Sequence, residues 1–185
     1  MPPQVAQIGP GVVELALPVH PDPLHQPPAD LEPWAALCAD PVVMEHFPAV
    51  LSREQADASI ARVQAHVSEH GYGLWAVEVD GELAGWTGLA WTDVTGAREL
   101  EVGWRYARRF WGRGLATEAA TAALAYGLTV APRIISVTAV GNERSWRLME
   151  RIGMRREREF DHPRADLGHL RRHVLYSSSW GLTTG

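Results

Sequence analysis

The segment Glu99–Thr117, Glu-Leu-Glu-Val-Gly-Trp-Arg-Tyr-Ala-Arg-Arg-Phe-Trp-Gly-Arg-Gly-Leu-Ala-Thr, constrains the fold more than any other stretch of the chain. A strand over Glu99–Tyr106 passes through a short loop holding Gly112 and Gly114. The loop opens a helix starting near Gly112, with Leu115, Ala119, Ala122 and Tyr126 on one face. Such a junction sets a helix N-terminus, with its unpaired N–H groups and positive dipole end, beside the tip of a strand. Glycine lets those N–H groups approach a ligand closely, so the junction reads as an anion site. Arg105, Arg108, Arg109 and Arg113 crowd the same loop in a chain of net charge -5. A diphosphate would gain about 0.3–1 kcal/mol per charge from the helix end, and more from charge-assisted hydrogen bonds.

Composition narrows the ligand. All 17 basic residues are arginine. Without lysine there is no Schiff-base lysine, no pyridoxal-phosphate anchor and no P-loop lysine. The dinucleotide fingerprint needs a third glycine where Thr117 stands. Net acidity gives no global basic field to recruit nucleic acid. A length of 185 residues, 46% apolar and 21% charged, fits one globular domain. No apolar run approaches the roughly 20 residues of a membrane helix, and no export signal is visible at the N-terminus. Cys38 is alone and cannot form an internal disulfide, so a reducing, cytoplasmic setting is expected.

The rest of the chain alternates between two periodicities. The first 30 or so residues are Pro-rich, with a short strand at Val12–Leu17 and a loop over Pro18–Pro23. Asp30 is placed to cap a helix through Trp34 and Leu37. Ser52 and Gln55 have capping-box spacing ahead of Ile60, Val63 and Val67, and His70-Gly71 ends that helix. Tyr72–Val79 and Glu82–Trp91 form a hairpin through Asp80-Gly81, and Thr95-Gly96 turns the chain into Glu99–Tyr106. Gly127 and Pro132 mark the end of the following helix. Ile134–Val140 reads as a buried strand, and Asn142 begins a helix with Trp146, Met149 and Ile152 on one face, capped by Gly153. Strands near Arg155–Phe160 and Leu170–Ser177 complete an α/β order: a mixed, mostly antiparallel sheet of about seven strands with helices on both faces.

Arg109-Phe-Trp-Gly112-Arg-Gly114 resembles the Gln/Arg-x-x-Gly-x-Gly/Ala motif of the GNAT superfamily of N-acetyltransferases, and Asn142-Glu-Arg-Ser145 through Met154 resembles the superfamily's Asn-x-x-Ser segment. The tail, Phe160–Pro163 and His169–Tyr176, is similar to a bacterial branch related to the ribosomal-protein alanine N-acetyltransferases. The resemblance runs from about Gly71 to Ser177. It divides the single domain into an acceptor-side region, 1–70, and an acetyl-CoA-binding core, 71–177. It also implies a V-shaped split between the fourth and fifth strands of that fold, here Glu99–Tyr106 and Ile134–Val140, with pantetheine added along the exposed edge as a β-strand would be.

Several site residues follow from the resemblance. The loop amides of Arg109, Trp111, Gly112, Arg113, Gly114, Leu115, Ala116 and Thr117 would hold the pyrophosphate. Val102, Gly103 and Trp104 would present N–H groups to the thioester carbonyl, with a β-bulge expected at Gly103. Such a donor could stabilise a tetrahedral oxyanion by ~2.7–4 kcal/mol. Glu101 is the first candidate for the base that deprotonates the acceptor amine, set against an exposed carboxylate balanced by Arg98 or Arg105. No Tyr lies between Tyr126 and Tyr176, so Ser145 becomes the candidate proton donor to the leaving thiolate. Asn142 would serve as helix cap and hold the pantetheine amide.

Other features carry less. His162, His169 and His173 match no closed zinc spacing and suit a structural or acceptor-side role, so no metal is expected. Cys38 reads as helix core, and Trp75, Trp86 and Trp91 as sheet packing. Overall acidity slightly favours a cationic acceptor, among small amines and protein N-termini. Relatives often pair, which admits a homodimer. A non-catalytic acyl-CoA-binding module would carry the same loop and is the competing function.

Overall fold

The computed structural model describes residues 5–8, 13–16 and 28–179, with the backbone course alone given for 5–8, 13–16, 28–30 and 165. The Pro18–Pro23 loop and the ends of the expected first strand lie outside the described residues. Among the described residues, eight strands form one sheet: β1 (Val5–Ile8), β2 (Val13–Ala16), β3 (Leu74–Val79), β4 (Glu82–Thr92), β5 (Glu99–Tyr106), β6 (Arg133–Ala139), β7 (Arg155–Asp161) and β8 (Arg172–Ser179). Their order is β1-β2-β3-β4-β5-β6-β8-β7. Every pairing is antiparallel except β5–β6, which is parallel. The extra strand beyond the expected seven is β1, which lies within the Pro-rich segment and has only four residues to signal itself.

Local chemistry explains the connections. Asp80 and Gly81 both adopt positive φ, 54° and 76°, as a two-residue hairpin of the twist-matching type requires. Helix α2 (Arg53–His70) begins at Ser52, whose hydroxyl accepts from the Gln55 N–H while the Gln55 side chain accepts from the Ser52 N–H. Gly71 closes it in the left-handed region. Helix α1 (Pro28–Ala39) starts earlier than expected, so Asp30 falls in its first turn rather than at the cap; a proline at the first helical position is pre-set for helix and gives up no bond. Helix α4 (Glu143–Arg151) ends in paired bonds, Gly153 N–H to Glu150 O and Met154 N–H to Met149 O.

Helix α3 (Leu115–Val130) departs from its expected face and end. Its buried side is Leu115, Ala119, Ala120, Ala123, Leu124 and Gly127, and Tyr126 is exposed. The helix runs through Gly127 because that glycine lets it lie close to the sheet: a Cβ there would come within 3.0 Å of both Ile134 Cδ1 and Leu89 Cδ2.

The sheet divides two apolar layers. On one face α3 and α4 cover a core that includes Leu89, Leu100, Val102, Tyr106 and Ile134. On the other, α1 and α2 cover Ala76, Leu83 and Trp86, with Cys38 fully buried among them. Burial of a side chain of this size contributes about 1.5–3 kcal/mol, and the two layers fix the sheet between them.

Candidate active site

Strands β5 and β6 are in register at only two positions, Leu100 with Ile134 and Glu101 with Ile135. Beyond Glu101 they diverge, which leaves the β6-facing edge of β5 unpaired. The closed end of this fork is pinned by charge. Arg133 on β6 donates to Glu99 on β5 (Nε to Oε1, 2.8 Å) and also pairs with Glu157 on β7. The Arg133 and Ser177 hydrogen bonds hold the Glu157 carboxyl down at about 2.

The expected β-bulge at Gly103 is absent. The β4–β5 register is unbroken from Gly85–Tyr106 to Thr92–Glu99, and the irregularities in the sheet lie at Val77/Glu78 and Arg156/Arg158. The strand edge is freed by departure of the neighbouring β6, so β5 needs no bulge of its own. A Cβ at Gly103 would meet nothing within 4 Å, so this glycine keeps the floor of the opening bare.

A cleft of about 1840 Å³ follows the fork from the α1–α2 side to the α3–α4 side. Small-ligand pockets run to roughly 1,000 Å³, so there is room for two substrates end to end. Glu101 stands where the fork opens. Burial pushes its carboxyl up to about 7, against a smaller opposing effect from the hydrogen bond donated by the Val137 backbone N–H. Neither Arg98 nor Arg105 forms an ion pair with it: Arg98 lies over the Trp91 ring at 5.4 Å, and Arg105 turns to other partners.

At the α3 end, Gly112 and Gly114 have φ of +76° and +82°, a backbone that other residues adopt only under strain. Gly114 is the N-cap of α3, and among the described residues no side chain caps the helix. The first-turn N–H groups of Leu115, Ala116 and Thr117 therefore lack the usual capping acceptor, and all three residues line the cleft. Gly103, Trp104, Trp111, Gly112, Asn142 and Ser145 line it as well. Val102 is fully buried in the core. Asn142 caps α4 by accepting from the Ser145 N–H at 3.3 Å and donates through Nδ2 to Thr138 Oγ1 at 2.9 Å.

The loop arginines do not gather as expected. Arg109 pairs with Glu82 on β4 and lies over the Phe110 ring at 4.7 Å; Arg113 lies over the same ring at 5.5 Å. Arg108 faces Asp40 at 3.9 Å. Instead, Arg144, Arg147 and Arg151 of α4 line the cleft. Arg144 lies over the Trp111 ring at 4.6 Å, and Arg151 donates to Thr117 Oγ1 at 3.3 Å. Their spacing of three and four along one helical face is the signal in the sequence that locates them. His162 and His173 also line the cleft with rings 4.8 Å apart, and burial foremost lowers the pKa of each. His169 is exposed.

Among the described residues, no helix is long and apolar enough to cross a membrane. Comparison with known proteins agrees with this architecture. The chain is 32% identical to the uncharacterized protein YkkB of Bacillus subtilis (strain 168) over 125 residues, 65% of this chain and 73% of that one. The crystal structure of a GNAT-family acetyltransferase from Bacillus anthracis superposes with a TM-score of 0.66 at 27% identity, covering 81% of this chain and 89% of that one. RimL, a ribosomal L7/L12 alpha-N-protein acetyltransferase solved with coenzyme A, shares the fold at a TM-score of 0.73 and 15% identity, over 95% of this chain and 98% of that one. Residues 24–155 match the profile of the Acetyltransferase (GNAT) domain, and the chain therefore belongs to the GNAT acetyltransferase family.

Proposed function

We propose that this protein is an acetyl-CoA-dependent N-acetyltransferase of the cytoplasm, moving acetyl to a primary amine of a small molecule or a protein N-terminus by direct attack. The observation that carries the reading is one cleft holding an uncapped helix N-terminus at one end and the Glu101 carboxyl where the fork opens. The first suits a diphosphate, the second an amine that must lose a proton. The core, 71–177, supplies the coenzyme's site, and the region before it closes over core residues to form the acceptor's.

In this mechanism the amides from Gly112 to Thr117 receive the pyrophosphate, with Arg144, Arg147 and Arg151 adding charge. Pantetheine extends along the free edge of β5, so that the thioester carbonyl meets the β5 backbone near Gly103 and Trp104. A free amine is mostly protonated at neutral pH. Glu101, with its carboxyl poised near neutrality, accepts the amine proton directly or through one water. Nitrogen attacks the carbonyl carbon, the C–S bond breaks, and the thiolate takes a proton, for which Ser145 is the candidate donor. Neutral His162 and His173 border the same opening.

Isothermal titration with coenzyme A, followed by thiol detection across an amine panel with acetyl-CoA, tests this reading. Coenzyme binding together with thiol release that requires an amine is the expected result. Binding without release from any amine would favour an acyl-CoA-binding module, and no heat on titration would remove the assignment altogether.

A further inference from the structure

Four residues beyond Glu101 on the same face of β5, Arg105 reaches into the acceptor end of the cleft. Its guanidinium is enclosed: 3.9 Å from the centroid of the Phe47 ring, 5.4 Å from that of Trp34, with Nη1 donating to Cys38 Sγ at 3.4 Å. Among the described residues no carboxylate pairs with it, and its Nε has no hydrogen-bond partner. Cys38 does not neutralise it, since burial pushes that thiol up and keeps it protonated. Arginine stays charged even where burial disfavours the charge.

A second orphan donor stands next to it. Trp86 is the direct cross-strand neighbour of Arg105 on β4 and also lines the cleft, and among the described residues its buried Nε1 has no partner. Between this pair and Glu101 the floor is the bare Gly103. Buried donors without acceptors are costly, and a half-buried cation held by rings but lacking a counter-ion adds to that cost, unless a ligand supplies the missing oxygen atoms. Phe47 and Trp34 hold the planar fork that suits bidentate oxyanion recognition.

We propose that Arg105 and Trp86 form an oxyanion-binding subsite, so that the acceptor is a compact amine bearing its own carboxylate or phosphate. This rests on the acetyltransferase reading and specifies its second substrate. Amine and acid lie at opposite ends of the Glu101–Gly103–Arg105 strip, about 13 Å of strand from Cα to Cα. Local charge thus opposes the cationic acceptor that overall acidity favours.

The test uses matched acceptors with the full chain and acetyl-CoA: glycine against glycinamide, β-alanine against β-alaninamide, 2-aminoethyl phosphate against ethanolamine, and spermidine as the cationic control. The carboxylate pairs and the phosphate pair separate the two acid chemistries. Wild type is expected to favour the acid of at least one pair by about tenfold or more in kcat/KM. Arg105→Met should bring that ratio near unity, mainly through KM, and leave the KM for acetyl-CoA unchanged. Arg105→Lys, which keeps the charge, should retain part of the preference and guards against a folding defect in the Met variant. Where no acceptor turns over, calorimetry of the coenzyme-loaded protein with N-acetylglycine and with N-acetylglycinamide, N-acetyl-β-alanine and its amide, and the N-acetyl phosphate pair reads the same discrimination without catalysis. Equal treatment of acid and amide by wild type, preference for spermidine, or an undiminished ratio in Arg105→Met overturns the subsite.

Discussion

The two ends of the cleft are made of different materials. At the end proposed for the coenzyme the groups offered are main-chain amides on a contiguous loop and helix turn, Gly112–Thr117. At the end proposed for the acceptor they are side chains from separate elements: Trp34 of α1, Phe47 of the following loop, Trp86 of β4, Glu101 and Arg105 of β5. A backbone-built site tolerates changes in side chain but not in φ; a side-chain-built site behaves in the opposite way. The first fits a universal co-substrate, and the second is free to change with each acceptor.

Breaking the acceptor end should have the largest effect. Glu101→Gln is expected to lower kcat by roughly 10²–10⁴ above neutral pH while coenzyme affinity in calorimetry is kept. The wild-type kcat/KM should rise with pH through about 7, as the carboxyl loses its proton, and that limb should vanish in the variant. The same substitution should stabilise the fold. A carboxyl whose pKa is raised on folding binds more protons folded than unfolded, so stability falls as pH climbs from its ordinary value to about 7. The melting temperature of Glu101→Gln should therefore exceed wild type at pH 8 and approach it at pH 5.

At the coenzyme end, the sharpest test is of φ. Gly114→Val forces a β-branched residue to +82°, at about 1–2 kcal/mol, and should weaken coenzyme binding roughly 5–30-fold by calorimetry. Arginine truncations there should matter less, and unequally. Arg144→Ala with Arg151→Ala should weaken binding about fivefold at low salt, the loss shrinking as salt rises. Arg109→Ala with Arg113→Ala should cost less, because those side chains are committed to Glu82 and Phe110. The smallest effect concerns the clamp between strands. Arg133→Met should cost about 1 kcal/mol in urea unfolding at neutral pH. Glu157 has a lowered pKa, so its share of stability is present above the ordinary glutamate value and is lost as pH falls toward 2.

Legibility in the sequence divided along the same line. Gly112, Gly114 and the Leu115 helix announce themselves because local backbone needs leave local marks. The Ser52 capping box and the Asp80-Gly81 hairpin are legible for the same reason. Glu101 could be singled out, but its missing counter-ion could not, since it depends on Arg105 turning toward Cys38, 67 positions away in the chain. The arginines of the 105–113 run look like one cluster in one dimension. In three they disperse to Cys38, Asp40, Glu82 and Phe110, while α4 brings its own arginines to the opening. The bulge expected at Gly103 failed because the sequence of one strand does not say when its neighbour will leave.

The two-position pairing of β5 with β6 makes the cleft a lever with a short hinge. From Glu101 to Tyr106 the β6-facing edge of β5, still held by β4 on its other side, runs for about 16 Å, so a change of only 5° in the angle between β5 and β6 displaces its tip by about 1.4 Å. A misplacement of that order is enough to cost about 10²-fold in rate when reacting atoms must align. Substitutions at the back of the sheet, around Arg133 and Glu157, can therefore present themselves as catalytic lesions while touching neither substrate.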